Sequence, residues 1–232
     1  MNIDQFWDLI DQARDDGGDR LLPEFTDRFL TAIEDRLYDL ELNEVVQYDA
    51  RLKELCRRAD LPGLRAANRM VAGPDVYVSD VDDGFVCGLI SLGRETFERA
   101  LTDPDSLSLE PLLRAVAEGR VPGAYIILDE MPDMAMHNYE SRDESGDYST
   151  ALDPYIVDAD GVDDADWDED PEQVRRRLPR LSAMFAARTQ TLEQAAARKQ
   201  RLSTLGWVLL LAAILAMAVI GSFIGRALEI QP

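Results

Sequence analysis

Short amphipathic stretches recur along the first half of the chain, with apolar residues three and four apart, the spacing that gathers them on one face of an α-helix. Ile3, Phe6, Trp7, Leu9, Ile10 and Ala13 form the first stripe, ended by Gly17-Gly18. Pro23 suits the first turn of a second helix, along which Phe25, Phe29, Ile33 and Leu37 lie four apart. Asn43 is placed to cap a third, with Val45, Tyr48, Leu52, Leu55 and Ala59 facing one way until Leu61-Pro62-Gly63. A short helix over residues 64–71 closes at Gly73, and residues 76–80 are too short and isolated to imply a sheet. Phe85, Leu89, Ile90, Phe97 and Leu101 share one more helical face, which Asp103-Pro104-Asp105 stops because a residue before proline avoids the helical region. A helix over residues 110–118 ends at Gly119, and residues 124–131 read as one strand or a buried extended piece. These stripes predict core packing, hence an all-α fold with a compact multi-helix N-terminal domain over residues 1–131.

Charge divides the rest. Residues 1–138 carry 29 acidic and 14 basic side chains, residues 139–172 carry 14 and one, and residues 173–201 carry one and eight. Residues 132–170 therefore read as an acidic connector, disordered because so polar a stretch cannot offset its ordering entropy by burial. Residues 171–204 read as a basic helical stalk that Asp170, Pro171 and Gln173 start. Val174, Leu178, Leu181, Phe185, Leu192, Ala195 and Leu202 keep a four-three register, with Arg188 and Lys199 at the remaining steps, which resembles a two-stranded coiled-coil seam. Pro179 should kink or restart that helix.

Residues 205–224 contain no ionisable side chain and eleven Leu, Ile, Val or Phe. At about 1.5 Å per residue they match the roughly 30 Å hydrocarbon core of a bilayer, so a single transmembrane helix is expected from Leu205 to Ile224, followed by a short tail over residues 225–232. Arg188, Arg198, Lys199 and Arg201 precede this stretch and only Arg226 follows it, which orients the N-terminal domain to the cytoplasm. Trp207 is positioned as an interfacial anchor, and the opening residues lack the basic and apolar regions of a secretory signal, so a tail-anchored topology is expected. Arg198, Lys199 and Arg201 lie close enough to meet anionic lipid, each worth about 1 kcal/mol. Arg175, Arg176, Arg177 and Arg180 are too far back for that, and the acidic connector is their expected partner. Gly221 and Gly225, with Ala212 and Ala216, would let two spans approach, so a homodimer through stalk and span is one reading and a single solvated stalk the other.

The net charge of −21 argues against nucleic acid, whose phosphates need a basic face, and favours a basic protein partner. Cys56 and Cys87 have no metal-like spacing and read as reduced core thiols. The sole histidine, His137, has no second ligand residue near it, and no glycine-rich phosphate loop is present, so no cofactor is expected.

Phe6, Trp7, Ser79, Asp80, Phe85, Leu89, Ile90, Gly93, Arg94, Phe97, Glu98, Ala100, Leu101 and the run Asp103-Pro104-Asp105-Ser106-Leu107 are the residues on which a likeness rests. Over about residues 3–118 they resemble the largely bacterial family catalogued as domain of unknown function 4240. Its pattern has an N-terminal Phe-Trp helix, a Ser-Asp-rich turn, Phe-Arg-x-Trp-Leu-Ile-x-x-Gly-Arg, Phe-Glu-x-Ala-Leu and Asp-Pro-Asp-Ser-Leu. The resemblance implies a compact helical domain and transfers no activity; taken with the expected span, a family that is largely bacterial makes the bacterial inner membrane the expected address. Val86 stands where the pattern has Arg and Gly88 where it has Trp, so any site those two build in the family is altered here.

Candidate chemistry is sparse. Asp82, Asp83, Arg94 and Glu98 bring carboxylates and guanidinia close in sequence, the ingredients of acid/base or phosphate work. The same groups suit a helix N-terminus and a solvated helix face with Glu95 and Arg99 at i,i+4. Asp158, Asp160, Asp163 and Asp164 surround Gly161, but the EF-hand template would put Ile156 and Trp167 at ligand positions, leaving only weak divalent binding as a reading. The leading expectation is a non-enzymatic interaction or regulatory module on a membrane face, of immunity type among the options. The alternative is a membrane-tethered enzyme using the four residues from Asp82 to Glu98. If residues 205–224 span the bilayer, full-length protein stays in the pellet when membranes are washed with alkaline carbonate; release into the supernatant would remove the anchor.

Overall fold

The computed structural model describes residues 1–73, 83–143, 146–156 and 170–186. Among these residues every regular element is helical and no strand occurs. Helix α1 (Ile3–Gly17) starts with a capping box: the Asn2 side chain accepts from the Gln5 amide at 2.9 Å, and the Gln5 side chain accepts from the Asn2 amide at 2.8 Å. It buries Phe6, Trp7, Leu9, Ile10 and Ala13, the predicted stripe, and ends at Gly18 with φ 78°. A Cβ on Gly17 would come 2.8 Å from the Phe25 ring, so glycine lets α2 (Phe25–Asp39) fold back tightly against α1. Helix α3 (Leu42–Ala59) packs on α1. Its Tyr48 ring stacks on Phe6 at 5.2 Å, and Trp7 meets Phe97 at 5.6 Å.

Two starts differ from expectation. Helix α2 begins after Glu24, with Pro23 in the preceding turn. The cap of α3 is Glu41, whose side chain takes the Glu44 amide while Glu44 returns to the Glu41 amide; Asn43 instead accepts from the Tyr155 hydroxyl at 2.9 Å. Helix α4 (Pro62–Ala72) closes at Gly73, φ 85°.

The single face expected over residues 85–101 is split between α5 (Asp83–Ile90) and α6 (Arg94–Thr102). Gly93, at φ 96°, turns the chain between them, and Leu101 is only half-buried. A 3-10 turn over Pro104–Leu109 follows, and then α7 (Pro111–Ala117). Residues 124–131 form no strand. They make a 3-10 turn, Gly123–Ile126, and then press their backbone onto α5, with the Leu128 amide donating to the Gly84 carbonyl at 2.9 Å. A lone strand has no ladder to join. Here the glycines of α5 supply the partner surface: a Cβ on Gly88 would fall 1.7 Å from the Ile126 carbonyl oxygen, and one on Gly84 would fall 2.1 Å from the Asp129 carboxylate.

The helical body also passes the boundary placed at residue 131. Helices α8 (Met134–Arg142) and α9 (Tyr148–Leu152) pack on α3, where Val46, Ala50, Tyr148 and Leu152 form a small second apolar cluster. The Arg142 guanidinium donates to the Leu37 and Leu40 carbonyls at 3.2 and 2.8 Å, satisfying acceptors at the end of α2. Composition alone hid this because two apolar side chains and one cap anchor the segment. Asp170 then caps α10 (Pro171–Arg177) through the Glu172 amide at 3.3 Å. The helix breaks at Leu178, and Pro179 opens α11, residues 179–186.

Leu178, Leu181 and Phe185, expected on a coiled-coil seam, are instead buried in the same core as Phe6 and Phe97. That half of the seam is therefore turned inward. Leu192, Ala195, Leu202, Arg188 and Lys199 lie outside the described residues, as do residues 76–80 and 157–169 and the whole expected span with Leu205, Trp207, Gly221, Ile224 and Gly225. Among the described residues no helix is long and apolar enough to cross a membrane.

Gly88→Ala should destabilise the domain by about 3 kcal/mol, because the new methyl meets main chain that cannot rotate away. Chemical denaturation gives the measurement. A midpoint equal to wild type would show that α5 and residues 123–126 are less tightly seated than described.

Candidate functional site

A polar-rimmed concavity is bounded by α1, α2 and the start of α3. Its apolar part is Met1, Leu9 and Leu40; around these stand Gln5, Asp8, Gln12, Arg36, Asp39 and Glu44, enclosing a cavity of about 330 Å³. Helical periodicity explains the grouping: Gln5, Asp8, Leu9 and Gln12 lie three and four apart on α1. The one basic side chain of its lining is engaged, since Arg36 pairs with Asp16 at 2.6 Å and donates to the Ala32 carbonyl at 2.8 Å. Glu44 is occupied at the start of α3. Asp8 and Asp39 are exposed and enter no ion pair among the described residues. A groove with an apolar base and unneutralised carboxylates matches a side chain with a long apolar stem and a cationic head.

Of the four residues proposed for chemistry, Asp83, Arg94 and Glu98 do not line this concavity. Arg94 reaches back to Asp4 on α1 at 2.7 Å, and Glu98 pairs with Arg58 on α3 at 2.8 Å. Asp83 opens α5, where a carboxylate offsets the helix dipole, and Asp82 lies outside the described residues. Arg99 lies 3.7 Å from Glu95 and also bonds Glu110. Each charge thus joins neighbouring helices or turns. Asp158, Asp160, Asp163 and Asp164 lie outside the described residues, as do Arg198, Lys199 and Arg201. Of the arginines assigned to the connector, Arg180 is held by Asp103 and Asp105, and Arg176 is 3.5 Å from Glu172. Val86 is buried, and His137 is exposed on α8.

Cys56 and Cys87 are both buried and free. Burial, followed by Cys56, pushes the Cys87 thiol well above its ordinary value, which suppresses the reactive thiolate.

Two polar centres were missed in the sequence. The first is Asp49, buried on α3, which accepts from the Tyr148 hydroxyl and from Lys53 at 3.0 Å. Its signal was an acidic residue inside an apolar stripe, with a lysine four residues on. The second is Asp105, whose partners are some 75 residues away in sequence and so left no local trace.

Such an arrangement defines a compact all-α domain whose ion pairs fasten helices together and whose open concavity is acidic. The family model described as "Protein of unknown function (DUF4240)" matches residues 1–141, and the chain belongs to that family. The match runs beyond the motif likeness at residues 3–118 and takes in most of α8. No curated protein and no solved structure matches the chain.

Burial raises the phenol pKa of Tyr48, and burial with the Asp49 hydrogen bond raises that of Tyr148. In the unfolded chain both ionise near the ordinary 10. Their contribution to stability is therefore complete below about pH 10 and falls as pH rises above it. Ultraviolet titration of native protein should show these two of the seven tyrosines failing to ionise with the rest until the fold gives way. Seven phenolates appearing together in folded protein would contradict the burial.

Proposed function

We propose that this chain is a membrane-anchored, non-enzymatic interaction module whose acidic groove between α1, α2 and α3 receives a basic amphipathic segment of a partner protein. The observation carrying the proposal is the pair of carboxylates, Asp8 and Asp39, that enter no ion pair among the described residues, beside the apolar Met1, Leu9 and Leu40. The separate ion pairs of Arg94 and Glu98 support it, since they hold these groups against α1 and α3. Residues 205–224 serve as the anchor in this reading, with Arg198, Lys199 and Arg201 against the lipid and the domain in the cytoplasm. Gly221 and Gly225 allow two copies to meet within the bilayer. A regulator, or an antagonist of a basic toxin, fits such a module.

A fluorescent peptide alternating lysine and leucine tests the groove on the full chain in detergent. Binding should be saturable and weaken with salt. Asp8→Lys with Asp39→Lys should reduce affinity at least about tenfold, because each exchange replaces attraction by repulsion. Unchanged affinity in the double variant would move the partner elsewhere.

A further inference from the structure

We propose that the Asp103-Pro104-Asp105 turn and the apolar slot behind it form a helix-recognition site, which this chain fills with its own α11. The Asp105 carboxylate is 3% exposed. One of its oxygens accepts the Leu181 amide at 2.8 Å; the other accepts the Arg180 amide at 3.1 Å and Arg180 Nε at 2.9 Å. Arg180 Nη2 reaches the Asp103 carboxylate at 2.7 Å, so the guanidinium bridges both aspartates. Behind this clamp Leu178, Leu181 and Phe185 are 2%, 0% and 1% exposed.

The chemistry is that of an N-cap, in which a side-chain oxygen takes the orphan amides of a helix's first turn. An ordinary N-cap belongs to the helix it serves. Here it is supplied from 75 residues upstream, by a turn whose own backbone is secured by the Asp103 side chain accepting the Asp105 amide at 3.1 Å. The two halves also differ in origin: the turn lies inside the family-matched residues 1–141, and the helix lies beyond them. Left empty, the site would lose these three donors and open its apolar slot to water, so a helix seated there is favoured over none. The ligand it selects is an amphipathic helix that opens Pro-Arg-Leu and carries Phe one turn after the Leu, as Pro179, Arg180, Leu181 and Phe185 do. Arginine supplies the fork between the two aspartates, a geometry lysine cannot reproduce.

The test uses full-length chain in detergent and a fluorescent synthetic peptide of residues 170–186. Wild type, its slot filled, should bind little peptide. The variant Leu181→Asp with Phe185→Asp, which expels its own helix, should bind the peptide saturably; adding Asp105→Ala should weaken that binding at least about tenfold. A folded helix-expelled variant that ignores the peptide, or binds it equally without Asp105, overturns the proposal. Should that variant fail to fold, Arg180→Ala removes only a half-exposed side chain. Hydrogen exchange in this variant should quicken at least about tenfold across residues 180–186 while α1 and α3 keep wild-type rates. Equal rates throughout, or acceleration spread over the whole body, overturns it as well.

Discussion

One buried carboxylate closes this structure. Asp105 gathers two backbone amides and a guanidinium nitrogen from the start of α11. A carboxylate at this depth is costly unless its lone pairs are met by donors, and a helix start at this depth is costly unless its amides find acceptors. Each resolves the other's deficit. The contact also fixes where Leu181 and Phe185 enter the core, so the main apolar cluster takes side chains from both ends of the described chain.

The basic side chains act mainly as fasteners. With 24 lysines and arginines against 45 acids, few cations are available, and many join separate elements: Arg36 to Asp16, Arg58 to Glu98, Arg94 to Asp4, and Arg142 to the carbonyls ending α2. Exposed pairs of this kind contribute about 1 kcal/mol or less each. Their value is in setting how the helices register, since each reaches a different neighbour. Once the cations are engaged between helices, the carboxylates left over determine the character of the surface. Asp8 and Asp39 belong to that remainder, which is why the concavity between α1, α2 and α3 is acidic.

Helices with a full apolar stripe were legible from spacing alone: α1, α2 and α3 follow from Phe6 to Ala13, Phe25 to Leu37 and Val45 to Ala59, because one-sided burial imposes a period that the residues must keep. Starts were less legible, since Asn43 and Glu41 are both competent caps and tertiary contact decided between them by giving Asn43 to Tyr155. The break inside residues 85–101 was hidden because a Gly-containing turn preserves apolar residues on both sides. Helices α8 and α9 escaped notice because Asp49 and the α2 carbonyls, rather than an apolar stripe, receive Tyr148 and Arg142. The register of Leu178, Leu181 and Phe185 was read correctly as a buried face but assigned to the wrong surface. Periodicity says that a face is covered and carries no information about what covers it. The site residues show the same limit, for Arg94 and Glu98 are neighbours on one helix yet take partners on two others.

Gly88 connects this packing to function. The resembling family pattern carries Trp at this position, and a side chain of that size cannot coexist with the Ile126 carbonyl where a single methyl would already overlap it. Residues 123–128 occupy the space instead, held by the Leu128 amide on Gly84. Val86, in place of Arg, is buried rather than offering a charge. The face of α5 is consequently committed to the interior, with residues 84–90 all buried. An interaction surface must then come from elements whose outward faces remain polar and uncommitted. Helices α1 and α2 meet that condition along the line from Asp8 to Asp39, the groove proposed above for a partner, and α5 has a packing role.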